Sequence, residues 1–398
     1  TDNRYDQRVT RRRRPKETSR MMSHAAARTP QRAARAYQDR ILPAVSRTFA
    51  LTIPQLDPRL RTVIANAYLL CRIADTIEDE QSLAADVKQQ FHDRFTRVVA
   101  STEDPASFAR DLAPLLNGNT LAAERDLVEH APAIIEITDG FNLRQREALT
   151  RCIRTMCTGM PSFEREASTA GLADMREMDR YCYYVAGIVG QTLTELFCDY
   201  SARIAEHREA MSSLDVSFGQ GLQMTNILKD FWEDRDRGVC WLPRDLFAGE
   251  GVDLKSIRRN DVPAAFGHAY AQLIGVAHSH LRNALNYTLL IPEKEVGIRR
   301  FCLIAVGLAM RTLSSILAKP DFTAGAQVKV SRQVVKKVVI ATHLFAGYSR
   351  VLQRWFARLA YGLPLQALAD DWGGLLPGPH SAWPRSDACG PAHAVTSK

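Results

Sequence analysis

The sequence predicts an all-α protein, and three observations carry that expectation. Apolar residues recur every three or four positions over most of the chain, the spacing of one helix face. Alternating strand patterns are rare, and the connections are short and carry Asn-Gly, Asp-Gly or Pro. The chain is 46% hydrophobic and 24% charged, an ordinary globular balance with ample length for a core.

Taken in order, residues 1–35 are polar, Arg-rich and aperiodic, and are expected to be a basic disordered segment. A helix is expected over 31–41, and Ser46-Arg-Thr-Phe49 turns into another. Residues 58–79 place Leu60, Val63, Ile64, Ala67, Cys71 and Ala74 at helical spacing, with Asp57 as N-cap and Pro58 in the first turn. Helical periodicity returns over 84–100, 121–137, 143–160 and 174–200. The stretch 204–234 ends where Gly238 and Pro243 break it. Residues 261–290, 295–318 and 331–361 complete the helices. These elements predict one bundle-like domain over 36–362, followed by a Pro/Gly/Ala-rich disordered tail over 363–398.

Several function classes drop out on composition. No run of about 18 apolar residues occurs, so no membrane-spanning helix is expected, and no apolar region follows the basic start as it would in a signal peptide. The eight cysteines form no CxxC pair and lie mostly among apolar residues, which predicts reduced thiols in a cytoplasmic protein. The net charge is +8, and Arg11–Arg14 form a basic run that reads as a solvated tail. No nucleic-acid-binding motif accompanies that run, so no nucleic-acid partner is expected. The chain begins with Thr1, and Met21 and Met22 follow the basic segment, so translation is expected to start after the first 20 residues.

Chemistry concentrates in two acidic stretches, Asp75-Thr-Ile-Glu-Asp79 and Asp230-Phe-Trp-Glu-Asp234. Each sets two aspartates four residues apart, one turn apart on one helix face. Arg72 and Tyr68 precede the first pair at turn spacing, and Asn226 and Gln223 precede the second. Both polar stripes run through apolar sequence, where unpaired carboxylates are costly. The cation that fits is Mg²⁺, a hard ion that takes oxygen ligands and is shared with substrate phosphates. Two such helices could hold more than one Mg²⁺ and position a diphosphate, with Arg72 and Arg47 donating to its oxygens.

These residues resemble the squalene and phytoene synthase family. Ser46-Arg47-Thr-Phe49-Ala-Leu resembles the family's flap, and Tyr68–Asp79 its first aspartate motif. Tyr181-Cys-Tyr-Tyr-Val-Ala-Gly187-Ile-Val-Gly190 resembles a further conserved helix, Gln223–Asp234 the second motif, and Arg237–Pro243 the segment after it. The resemblance implies an isoprenoid synthase helical bundle around a central cavity. It implies Mg²⁺-dependent joining of two farnesyl diphosphates through a cyclopropyl diphosphate. Asp75, Glu78, Asp79, Asn226, Asp230 and Asp234 would be metal ligands. Ser46, Arg47, Tyr68, Arg72, Gln223 and Asn226 would bind substrate, and Tyr181 would take or relay the proton lost on ring closure. Tyr183 and Tyr184 read as packing. Gly187 and Gly190 cost helix propensity and read as room for a prenyl chain, with Phe49, Leu193 and Phe218 as cavity wall.

The late segment sorts the branches of the family. Phe301-Cys302-Leu-Ile-Ala-Val and Gly325-Ala-Gln-Val-Lys329-Val-Ser331-Arg332 resemble blocks of the squalene-producing branch, which adds a hydride from NADPH. Lys329 and Arg332 match its cationic cofactor positions, whereas Ser331 replaces a basic residue and Ala305-Val306 replaces Ile-Pro. The expectation is reduction to squalene, and the alternative is a sister enzyme yielding phytoene, dehydrosqualene, presqualene diphosphate or hydroxysqualene. The C-terminal anchor of eukaryotic members is not seen, so a soluble protein with transient contact to the inner membrane face is expected; a monomer is expected as well.

Overall fold

The computed structural model describes residues 18–368 apart from 119 and 260, with side chains from Gln31 onward. Among the described residues there are helices and two isolated bridges but no β-strand. The all-α expectation therefore stands. Residues 1–17 and 369–398, on which most of the two expected disordered tails fall, lie outside the described residues. The helix expected at 31–41 is part of a longer one, Thr18–Val45. The start of the expected tail is tied down, since the Pro364 carbonyl meets His278 Nδ1 (2.7 Å) and the Gln366 amide donates to the Gly275 carbonyl (3.4 Å).

The helices gather into two compact units, one comprising 1–161 and 195–200 and the other 162–194 and 201–398. The first contains α1 (Thr18–Val45), α2 (Pro58–Asp79), α3 (Ala85–Val99), α4 (Pro105–Leu112), α5 (Ala122–Glu129), α6 (Ala131–Asp139) and most of α7 (Leu143–Glu166). Helix α2 starts as the sequence dictates. Pro58 opens it and the Asp57 carboxylate accepts the Arg59 amide (3.0 Å). Its inner face buries Leu60, Leu69, Leu70, Ile73, Ala74 and Ile77. Each fully buried aliphatic side chain contributes about 1.5–3 kcal/mol. Asn66, also buried, ties α2 to α6 by donating to the Ile134 carbonyl (2.9 Å) and accepting from Thr138 (2.9 Å). Just past its end Glu80 accepts from Ser82, Asn117 and Thr120. Burial pushes that carboxyl up, but these hydrogen bonds outweigh it and hold the pKa at about 2.

The second unit contains α8 (Met175–Cys182), a π-helical turn (Tyr183–Gly187), the first half of α9 (Ile188–Tyr200), α10 (Asp215–Lys229) and α11 (Phe231–Asp236). It continues with α12 (Ala264–Leu290), α13 (Val296–Ala318), α14 (Arg332–Phe345) and α15 (Ser349–Leu359). Helix α10 is its axis, packed by the π-helical turn, α12 and α13. The approach is closest at two glycines. A Cβ on Gly190 would lie 1.9 Å from the Asp215 carbonyl oxygen, and one on Gly219 would lie 2.0 Å from that of Ala186. A Cβ on Gly187 would meet Tyr183 and Val216 at 3.0 and 3.1 Å. The glycines read as room for a prenyl chain are thus filled by a neighbouring helix. Phe218, expected to line a cavity, is buried against Tyr287 (5.5 Å between rings).

Helix α13 corrects the expectation that no helix is apolar enough to span a membrane. It is long and apolar enough to cross a bilayer by length and composition, although arginines interrupt its apolar runs. Most of that stretch is buried inside its unit, so it is a core helix. Arg299, fully buried on it, donates to Ser349 Oγ (2.9 Å), which donates in turn to Glu293 (2.7 Å). That chain of contacts fixes the start of α15 on α13. The seven described cysteines are buried and none is in a disulfide, as expected.

Two outcomes test this packing. Gly190→Ala should destabilise the protein by about 3 kcal/mol or more, because the clash is with backbone. Gly249→Ala, with nothing within 4 Å, should stay within about 0.5 kcal/mol. Chemical denaturation compares them, and equal effects would refute the close crossing. Asp215 is 2% exposed, its Oδ1 lacks a hydrogen-bond partner among the described residues, and burial pushes its carboxyl up to about 7. A folded pKa above the unfolded value means stability is full at acid pH and is lost as pH rises from about 4 to 7. Asp215→Asn should therefore be more stable than the parent at pH 8, by up to about 4 kcal/mol, and level with it at pH 4. A gap independent of pH would reject this account.

Candidate active site

Each unit assembles its own part of the acidic machinery. In the first, Arg72, Asp75, Glu78 and Asp79 lie along the last turns of α2, as their spacing predicts. The guanidinium of Arg72 is held by Glu124 of α5, through Nε (3.0 Å) and a closer Nη2 contact, and lies 3.7 Å from Asp75. Burial pushes the Asp75 carboxyl up, Arg72 pulls it down, and Asp79 and Glu124 raise it again; the outcome is about 7. Burial is the largest of these effects, and Arg72 is the largest charged neighbour. Glu124 is 52 residues from Arg72 in sequence, and no local spacing points to it.

Two residues expected to contact substrate also have partners within the chain. Ser46 Oγ accepts the Phe49 amide (3.0 Å), and the Tyr68 hydroxyl donates to the Val45 carbonyl (2.9 Å). Phe49 packs on Tyr68 (4.9 Å), so the segment 45–49 is clipped to α2 from both sides. Arg47 is exposed beside it.

In the second unit, the expectation of one unbroken acidic helix fails at Asp230. This residue ends α10 and precedes α11, with φ −97° and ψ 14°. The i to i+4 ladder nevertheless continues, since the Asp230 amide donates to Asn226 (2.8 Å) and the Asp234 amide to Asp230 (2.9 Å). The pair stays one turn apart. Both carboxylates also have cations: Lys229 is 2.8 Å from Asp230, and Arg237 is 2.6 Å from the buried Asp234. Asn226 is exposed and Gln223 half-buried, while Met224, Ile227 and Leu228 pack inward. The second pair is therefore not served by neutral ligands alone.

Tyr181 lies on α8 one residue before the last of that helix, directly ahead of the π-helical turn. Its ring is 5% exposed and stacks on Trp241 at 4.1 Å and 8°, with Phe163 edge-on at 5.5 Å. Trp241 belongs to the loop after the second motif, so the tyrosine and the acidic stretch share one support. Nearby Asp179 is missed by sequence reasoning. Burial, then Asp174, raises its carboxyl to about 7.

The late segment is fastened to the second motif by residues that spacing could not pair. Glu233 accepts the Gly325 amide (2.8 Å), and Trp232 donates its indole N–H to the Phe322 carbonyl (2.7 Å). A Cβ on Gly325 would lie 2.9 Å from Asp230 Oδ1. Lys329 and Arg332 follow, both exposed. Ser331, already noted as a departure from the resembled pattern, is the N-cap of α14 and accepts the Val334 amide (3.4 Å).

The donors present fit Mg²⁺: carboxylates and one amide oxygen, with no sulfur and no imidazole among them. The Glu124 contact yields a direct check. Glu124→Gln should lower the Asp75 pKa below about 7, because it removes a negative neighbour. Carboxyl NMR titration measures it, and an unchanged or higher value would show that Glu124 does not act on Asp75.

The squalene/phytoene synthase profile matches residues 42–334. The chain is similar to the squalene synthase of Eremothecium gossypii, 27% identical over 331 residues, covering 81% of this chain and 70% of that one. In three dimensions it resembles a ligand complex of TcSQS, with a TM-score of 0.67 and 24% identity over 84% of this chain and 94% of that one. It also resembles a ligand complex of a dehydrosqualene synthase, with a TM-score of 0.58 and 20% identity over 80% and 98%. With its two acidic motifs intact and most of its length matched, the chain belongs to the squalene/phytoene synthase family.

Proposed function

We propose that this chain is a squalene synthase, acting as one functional domain over 36–362. It joins two farnesyl diphosphates head to head into presqualene diphosphate and then reduces that intermediate to squalene. The observation that carries the reductive reading is the fastening of segment 322–332 to the second acidic motif through Glu233 and Trp232.

Asp75, Glu78 and Asp79 would hold Mg²⁺ on the first unit, and Asn226, Asp230 and Asp234 on the second. Bound there, Mg²⁺ neutralises the diphosphate and stabilises charge on it as it departs. Arg47 and Arg72 donate to phosphate oxygens, with Glu124 holding Arg72 in place. Ser46, Tyr68 and Gln223 position the substrate or the segments that touch it. Loss of the first diphosphate leaves an allylic cation, and the alkene of the second substrate attacks it. A proton then leaves as the cyclopropane closes, and Tyr181 accepts or relays it, its ring fixed by Trp241. Lys329 and Arg332 would hold the phosphates of NADPH, which supplies the hydride of the second half-reaction. The buried cysteines, none of them in a disulfide among the described residues, agree with a cytoplasmic protein, and we place it there as a monomer.

Ser331 favours a second reading, because it removes one cation from the expected cofactor set. The chain would then stop before reduction, as a sister head-to-head synthase. Purified protein incubated with farnesyl diphosphate and Mg²⁺, with and without NADPH, separates the two. Squalene should form only with NADPH. Asp79→Asn or Asp230→Asn should cut consumption of substrate by at least about a hundredfold. Lys329→Ala with Arg332→Ala should spare it and accumulate presqualene diphosphate. Wild-type squalene output from that double variant would remove both residues from the cofactor site.

A further inference from the structure

Between Asp321 and Asp370 the chain contains no Asp or Glu, yet seven Lys or Arg. The whole protein has a net charge of only +8, so this carboxylate-free stretch is unlike the rest. It includes α14 and α15, which lie over the apolar core helix α13. Gly307 of α13 sits against Val338 of α14 and Trp355 and Phe356 of α15. The inner faces are thereby settled: Val338 and Thr342 on one helix, Leu352 and Phe356 on the other, all buried.

The opposite faces are exposed and mixed. On α14, Lys336, Ile340 and Leu344 follow one another at four-residue spacing, and the two aliphatic side chains are 59% and 62% exposed. Tyr348, in the turn between the helices, is 64% exposed. On α15, Arg350, Arg354 and Arg358 form an exposed basic line beside Val351. Four exposed apolar or aromatic side chains, Ile340, Leu344, Tyr348 and Val351, thus share this segment with the cations, and the guanidinium line has no carboxylate of its own stretch to pair with.

We propose that the outer face of α14 and α15 docks on an anionic lipid bilayer. Headgroup phosphates would neutralise Lys336, Lys337 and the α15 arginines, while Ile340, Leu344 and Tyr348 enter the acyl boundary. A nucleic-acid backbone would satisfy the charges but leave the aliphatics in water. The proposal is independent of the catalytic reading, because it concerns residues assigned no role in substrate or cofactor binding.

Full-length protein is sedimented with vesicles of phosphatidylcholine alone and of phosphatidylcholine with phosphatidylglycerol. Binding is expected only to the anionic vesicles and should fall with salt. Neutralising three cations at about fivefold each, Arg350→Gln, Arg354→Gln and Arg358→Gln together should weaken it about a hundredfold. Ile340→Ser with Leu344→Ser should weaken it at unchanged charge. Both variants should keep vesicle-free turnover of farnesyl diphosphate, or an unchanged circular dichroism melt if the parent lacks that activity. A variant that fails this control is replaced by Lys336→Gln with Lys337→Gln. Equal binding to neutral vesicles, no binding to anionic ones, or wild-type binding by the variants overturns the proposal. So does loss of binding only on substituting Arg11–Arg14, or binding of nucleic acid in place of vesicles.

Discussion

The second unit depends on one backbone-to-backbone approach. The segment Ala186–Gly190 and the first turns of α10 come so close that each helix presents a glycine to a carbonyl of the other. No side chain fits at either point, so the crossing has little freedom to slide. What the crossing positions is chemical. Tyr181 precedes it on one strand of chain, and the Asn226–Asp234 stretch follows it on the other. The π-helical turn at 183–187 lies at the contact and accommodates it. Helix propensity is given up at three glycines, and a fixed relation between tyrosine and carboxylates is gained.

The carboxylates impose a second constraint. Grouped acids repel unless cations lie among them. In the first unit Arg72 is shared between Glu124 and Asp75, and Asp75 is left with a raised pKa. In the second, Lys229 and Arg237 each take one aspartate. Both motifs thus already hold a cation against an aspartate.

Local periodicity made much of this legible. The run from Leu60 to Ala74 marks α2, and Asp57-Pro58 marks its start, because capping and first-turn geometry are properties of adjacent residues. The two aspartate pairs are legible for the same reason. Contacts that depend on tertiary packing were not. Glu124 reaches Arg72 across 52 positions, and Glu233 reaches Gly325 across 92. Gly187 and Gly190 read as room for a prenyl chain, whereas a neighbouring helix occupies that room, because sequence does not say what approaches a glycine. The break at Asp230 also escaped, because Asn226, Asp230 and Asp234 keep helical spacing through it.

That break changes what the neighbouring residues do. An unbroken helix would leave the chain after Asp234 to continue along the same axis. With α11 as a separate short helix, Trp232 turns its indole to the Phe322 carbonyl and Glu233 its carboxylate to the Gly325 amide. Asp230 and Asp234, at the alternate positions, keep their own cations. One five-residue stretch therefore divides its side chains between two tasks. The aspartates present charge, and the tryptophan and glutamate hold a distant segment against them. Gly325 is the residue that allows it, since any side chain there would meet Asp230 and the Lys229 carbonyl at under 3 Å. Lys329 and Arg332 thus begin four and seven residues beyond a point anchored on the acidic motif, which couples their placement to that of Asp230.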